Sequence, residues 1–460
     1  MSEEPNQPKS NRNAEEHRDP ADKIAGNSPL RPIRTLSEIL RMVRRWTAEH
    51  KGEVIWAVVF AIVFAWPAAR FIDPPHHNPY LVHVVTFSGT DDDTKKMFED
   101  LAREWQKEQP LIGDVPVTLQ VSALQDDTAD TAIRKAEELV LAPDTLMVIG
   151  HLPSGLTEKS LPTYLGARPQ VPYISTTASD DDLLADCEPM SRCSGKDGYV
   201  PLIQTSPRNT DQGDAAVRFA IQNHKRRFLI VRDDERGNDN KPQPYLLNME
   251  QAYETAIRKF DRDGAIFVGT HVIGEPLSQQ ALKVWNPDCV LYAGLAGGAQ
   301  TLLNSLAGRD ILVILSDSVI EARGSDDKLA NFGAVRFTYQ TDAADYNRHT
   351  NVYGGDAVAI ARQLIDDLNK RGGDLWYRVQ SRIHIETAED ARRNLVRIMA
   401  ENFASRTWYR CGSNTACVFD ENMPHHRVNG IFHVWKLKGS SGGEMLDVDG
   451  WHPPKVATTK

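Results

Sequence analysis

Val171–Asp182 reads VPYISTTASDDD, an apolar run that passes directly into hydroxyls and carboxylates. The first half has the β-branched and aromatic content of a buried strand. The second half admits two readings. Ser, Thr and Asp cap the start of a following helix, or they form a ligand site at the carboxyl end of a strand.

The flanking chain repeats the same alternation. LVHVVTF (Leu81–Phe87), VPVTLQV (Val115–Val121) and TLMVIG (Thr145–Gly150) are strand-like. Asp91–Gln109 and Thr128–Ala142 place apolar residues at helical spacing between them. After two cysteines the pattern restarts with TDQGDAAVRFAIQNH, RRFLIVRD, a helix, AIFVGT, PDCVLYAG, a helix and ILVILSD. Uninterrupted apolar strands between amphipathic helices imply α/β lobes whose parallel sheets are covered on both faces. Tyr353–Gly372 and Ala388–Ser405 read as two more helices, and CVFDENMPHHRVNGIFHVWKLKG as a hairpin about Arg427–Gly430.

The chain has 460 residues, 41% hydrophobic and 25% charged, which calls for more than one core. Its formal net charge of −10 excludes a nucleic-acid partner that relies on a basic footprint. Residues 1–30 are polar and lack the apolar content to offset ordering entropy, so a disordered tail is expected. Residues 31–52 carry Arg31, Arg34, Arg41, Arg44, Arg45 and Lys51 around Leu36, Ile39, Leu40, Val43 and Trp46. That spacing predicts a basic amphipathic helix, lying on a membrane or binding a partner.

Val54–Ala69 follows as sixteen uncharged residues, with Trp56 and Trp66 near its ends. With flanking residues it reaches 53–72 and predicts one membrane-spanning helix. A buried core helix and a cleaved leader are the alternatives. The positive-inside rule then puts residues 1–52 in the cytoplasm and the main domain outside the cell membrane. Residues 73–80 read as a linker, and residues 441–460 as a flexible tail.

Cys187/Cys193 and Cys411/Cys417 share a C-x5-C spacing, and Cys289 sits alone in a strand-like run. In an oxidising compartment each pair closes a small disulfide loop. Free thiols or a four-cysteine metal site are the other options, although zinc favours closer spacing. The histidine pairs His76–His77 and His425–His426 lack any recognised metal motif. No phosphate loop and no nucleophile elbow occurs, so no metal, cofactor or enzymatic activity is expected.

The pieces VIGHLPSGLT, VPYISTTASD, LIQTSPRNTDQGDAAVRF, PDCVLYAGLAGGA, VYGGDAVAIARQLI and NGIFHVWKL occur in the order found in the type I periplasmic-binding-protein family. Residues 81–440 thus resemble that family, in particular the branched-chain amino-acid receptors. The resemblance implies two Rossmann-like lobes joined by a hinge. The first is mainly 81–205 with part of 330–400; the second is mainly 206–330 with the C-terminal part. It further implies an amino-acid-like ligand in the cleft, held by backbone N–H groups and hydroxyls at Ser154, Gly155, Ser175, Thr176, Thr177, Ala178 and Ser179. Tyr245, Tyr292 and Asp317 are the second-lobe candidates, with Asp317 suited to an ammonium group. RDDERGNDNKPQPY, which holds Tyr245, is longer and more charged than the family's equivalent loop. The implied function is solute capture for an importer or a sensing partner. The rival is a ligand-free interaction protein that keeps the fold.

Overall fold

The computed structural model describes residues 78–321, apart from 89, 91, 151–152, 196–197, 235–242 and 274–276. Beyond these it describes 335–339, 352–373, 385, 387–404, 409–410, 416–417, 419, 433–437 and 443–446. The expected tail, basic helix and membrane span lie outside the described residues, as do both histidine pairs and Cys411. Among the described residues no helix is long and apolar enough to cross a membrane.

The first lobe is built from β1 (Tyr80–Thr86), α1 (Asp92–Glu108), β2 (Leu111–Ile112), β3 (Val115–Ala123), α2 (Ala129–Leu141), β4 (Thr145–Gly150), α3 (Ser154–Gly166), β5 (Tyr173–Ser175) and β6 (Leu202–Gln204). Its sheet runs β2-β3-β1-β4-β5-β6, parallel apart from the short β2. Side chains alternate across a strand, so β1 serves two cores. Val82 and Val84 pack with Phe98 and Trp105 of α1, while Val85 packs with Ala132, Ala136 and Tyr164 of α2 and α3. Both faces are closed at β1 and β4, whose residues are nearly all buried, whereas β3 alternates between buried and exposed positions.

The second lobe follows with α4 (Asn209–Gln222), β7 (Arg227–Asp233), α5 (Pro244–Lys259), β8 (Ile266–Ile273), α6 (Gln279–Trp285), β9 (Cys289–Ala293), α7 (Ala296–Ser305), β10 (Leu312–Leu315), α8 (Ser318–Glu321) and β11 (Val335–Tyr339). The same alternation recurs in β7. Phe228 and Ile230 face α4 and α5, and Leu229 and Val231 face α6 and α7. Gly213 of α4 lets the two helices meet, since a Cβ there would lie 2.7 Å from the Ala252 carbonyl oxygen.

The chain then returns to the first core through α9 (Val352–Gly373) and α10 (Ala388–Ala404), whose Ala357, Leu364, Leu395 and Ile398 pack with Val82 and Met147. β12 (Tyr409–Arg410) and β13 (Ala416–Cys417) pair antiparallel beside it. β14 (His433–Leu437) and β15 (Gly443–Leu446) complete the second sheet, in the order β15-β14-β11-β10-β9-β7-β8.

One sequence expectation is corrected here. The expected flexible tail at 441–460 contains a strand, because Gly443–Leu446 pairs with β14 in register Val434↔Leu446. The expected turn at Arg427–Gly430 lies outside the described residues. Polar composition concealed the strand, which draws its partner from β14 and not from an apolar face of its own.

Cys187 and Cys193 are disulfide-bonded at a Cα–Cα distance of 5.6 Å, and both are buried in the first lobe. Cys417 is also disulfide-bonded, and Cys289 is a free, buried strand thiol. Among the described residues no cluster of His, Cys, Asp or Glu is arranged to hold a metal ion.

Candidate functional site

The parallel strands of the first lobe end on one edge of its sheet, where their loops emerge. β4 ends at Gly150, with φ at +131° and the Val85 carbonyl oxygen 2.1 Å from where a Cβ would stand. Only glycine fits this close approach. The chain then enters α3 through Pro153, which offers no side-chain cap. Ser154 is buried on the first turn, and Gly155 has open space around its Cα. The leading N–H groups of a helix lack intrahelical acceptors, so this end suits an anionic group.

Ser175 closes β5, and Thr176 begins its loop. Both are fully buried, and neither Ser175 Oγ nor Thr176 Oγ1 has a hydrogen-bond partner. Thr90 Oγ1, in the loop after β1, is in the same position. Unpaired buried hydroxyls are costly, so their occurrence on a sheet's carboxyl edge points to a ligand or to water.

The rest of the stretch has structural duties. The Thr205 hydroxyl lies within donating distance of three carbonyls, those of Ser175 at 3.1 Å, Thr176 at 3.2 Å and Tyr353 at 3.1 Å, and gives its proton to one of them at a time. Ala178 offers its carbonyl to Gln204 Nε2 at 2.6 Å and Ser206 Oγ at 2.7 Å. The Ser179 carbonyl accepts from the Asn209 N–H at 2.7 Å. Thr177 is half-buried at the centre of this loop. The hydroxyl run thus does both jobs: Ser175 and Thr176 keep free oxygens, while Ala178 and Ser179 tie the loop to the crossover into α4.

Of the second-lobe candidates, Tyr292 and Asp317 lie at strand ends, and Tyr245 stands on the first turn of α5. Asp317 follows β10 and is 4% exposed. Its Oδ1 accepts from Tyr245 OH at 2.6 Å, Gln212 Nε2 at 3.1 Å and the Ser318 N–H at 3.1 Å. Burial raises the Asp317 carboxyl above the usual carboxylate range. Burial, and then the Asp317 charge, also push the Tyr245 hydroxyl well up.

Tyr292 ends β9 fully buried, its hydroxyl 3.0 Å from Asp233 Oδ2 and donating to the Leu295 carbonyl at 2.8 Å. Gly294 and Gly298 make room for that ring, since a Cβ on Gly298 would lie 2.3 Å from Tyr292 OH and 2.4 Å from Asp233 Oδ2. The structure therefore joins Tyr245 to Asp317 and locks Tyr292 onto Asp233. Gln212 and Asp233 were missed because nothing local marks them. Each becomes relevant only when separate elements meet.

No family model and no curated protein matches the chain. Solved structures do. An ABC transporter substrate-binding protein from Desulfitobacterium hafniense, in complex with leucine, matches with a TM-score of 0.56 at 14% identity, covering 80% of this chain and 100% of that one. A leucine-binding protein from Thermotoga maritima gives 0.55 at 14% identity, over 80% and 98%. A solute-binding protein of an ABC transporter from Rhodopseudomonas palustris, in complex with 3,4-dihydroxybenzoic acid, gives 0.52 at 16% identity, over 82% and 99%. At these identities the likeness is one of fold: the described residues share the two-sheet α/β architecture of these solute-binding proteins.

Proposed function

We propose that this chain captures a small carboxylate-bearing solute between its two lobes and passes it to an importer or a sensing partner. The observation that carries this reading is the pair of buried, unpartnered hydroxyls, Ser175 Oγ and Thr176 Oγ1, on the carboxyl edge of the first sheet. The α3 N-terminus, with no side-chain cap, opens on that same edge. Hydroxyls and free N–H groups together bind a carboxylate without a dedicated cation. Leucine and dihydroxybenzoate, held by two proteins of this fold, have a carboxylate in common. Binding, not bond-making, is the role this donor set supports.

In the same reading Val54–Ala69 is a membrane anchor, with residues 1–52 cytoplasmic and the binding domain outside the cell. The cytoplasmic basic helix would then meet the lipid surface or the partner.

The test is thermal unfolding of the full chain with a panel of amino acids, aliphatic acids, hydroxybenzoates and sugars. A ligand at a hundred times its dissociation constant stabilises by about 2.7 kcal/mol. A shift given by carboxylates, and lost in Ser175→Ala and Ser154→Ala, supports the reading. A panel without any shift favours the rival, an interaction protein that keeps the fold. That rival draws on the second-lobe side chains, whose Tyr245–Asp317 and Tyr292–Asp233 pairs bond to each other.

A further inference from the structure

The loop after β1 is held together without the Thr90 side chain. Ser88 gives its N–H and its hydroxyl to the two carboxylate oxygens of Asp127, at 2.7 Å and 2.8 Å. The Thr90 N–H closes a turn onto the Phe87 carbonyl at 3.1 Å. Thr90 is nonetheless only 5% exposed, and its Oγ1 has no hydrogen-bond partner. A buried hydroxyl left unpaired is costly, and the loop's own hydrogen bonds give no reason for it.

The topology sets this hydroxyl apart from those of β5. β1, β4 and β5 are consecutive in the sheet. Their carboxyl ends are level, since Val85 pairs with Gly150 and Ile149 with Ile174. Thr90 follows β1, the start of α3 follows β4, and Ser175 and Thr176 stand at the end of β5. Neighbouring strands are about 4.8 Å apart, so the two groups of unpaired hydroxyls are two spacings apart, about 10 Å. With a hydrogen bond of about 2.8 Å allowed at each end, a solute that meets both carries polar atoms on the order of 5 Å apart.

We propose that Thr90 is the far pole of the solute site, where it reads a neutral hydroxyl at the end of the solute opposite its carboxylate. This rests on the capture reading above and narrows the solute to a hydroxy acid. Charge decides for a hydroxyl over a second carboxylate. Asp91, Asp92 and Asp93 follow Thr90 directly in the chain, and Lys95 and Lys96 come only a turn later. A second carboxylate at this pole would meet like charge. The threonine hydroxyl both donates and accepts, so it pairs with a solute hydroxyl in either sense.

The experiment is a thermal-unfolding titration of the full chain with matched acids: butyrate and 4-hydroxybutyrate, pentanoate and 5-hydroxypentanoate, benzoate and 4-hydroxybenzoate. The expected result is that the hydroxy acid of at least one pair binds roughly tenfold tighter than its partner, the gain of one hydrogen bond in a dry site. Thr90→Val should abolish that preference and leave the affinity for the unsubstituted acid as it was. Thr90→Ser, which keeps a hydroxyl, should retain it. Acids that bind without preference in any pair would overturn the proposal and leave solute capture standing. A preference that persists in Thr90→Val would also overturn it, since another group would then read the hydroxyl. If no acid of either kind binds, the capture reading itself fails and this one falls with it. The comparison within the parent protein needs no variant, so it decides even where Thr90→Val does not fold.

Discussion

Thr176 should be a residue whose removal makes the empty protein more stable. Its hydroxyl is fully buried and unpartnered. Thr176→Val keeps the shape and deletes that oxygen. A buried hydroxyl without a hydrogen bond costs about 1–3 kcal/mol in protein mutational data. The expected gain is accordingly about 1 kcal/mol, or roughly 2–4 °C in a domain of this size. Thr205→Val supplies the contrast. Its hydroxyl sits among three carbonyls and donates to one at a time, so the same chemical change removes a buried hydrogen bond and should cost about 1–2 kcal/mol. Urea unfolding of both variants in ligand-free buffer measures the pair. If a carboxylate ligand is found, Thr176→Val must weaken it while stabilising the empty protein, the trade-off expected where a site is kept strained for function. A Thr176→Val variant that loses 1 kcal/mol or more without ligand would refute the reasoning, because the hydroxyl would then have a partner.

Three further outcomes are expected. Replacing Cys187 and Cys193 by Ala opens a loop of sequence separation 6 and should cost about 2 kcal/mol, read as a lower thermal midpoint under non-reducing conditions. His83 is buried against Thr145, 3.2 Å away, and burial lowers its pKa to about 4. The unfolded chain therefore binds the extra proton first, and stability falls as pH drops from about 6.5 toward 4; His83→Gln should flatten that limb in urea unfolding at pH 4.5 and pH 7. Gly298→Ala forces the α7 backbone away from Tyr292 and Asp233, and should cost about 1–3 kcal/mol by overpacking, with near-ultraviolet circular dichroism reporting the displaced tyrosine.

Much of the fold was legible because buried parallel strands have a local signature. Val82, Val84 and Val85 are all apolar since both faces of β1 are covered, and the same holds for Leu229, Ile230 and Val231 in β7. Helix α1 was legible because Met97, Phe98, Leu101 and Trp105 keep the apolar spacing within Asp91–Gln109. β15 was not, since GEML in a polar tail shows no period of its own. The first-lobe loops could be located from strand ends, but their chemistry could not be divided. Ser175 and Ser179 look alike in sequence, yet one keeps a free hydroxyl while the other's backbone holds the crossover.

The sequence by itself determined where the strands and helices from Leu81 to Leu315 fall in alternation, and that Cys187 and Cys193 are spaced to join. These depend on side chains close together along the chain, where apolar periodicity and loop length act directly. Only the tertiary structure decided which polar groups are spent on one another. Asp317 meets Tyr245 and Gln212 across 72 and 105 residues, Asp233 meets Tyr292 across 59, and Asp181 meets Thr210 across 29. Such pairings are set by how sheets and helices stack, and a hydrogen bond is decided within a few tenths of an ångström. No local pattern holds that information, so whether a buried hydroxyl has a partner becomes known only once the lobes are folded.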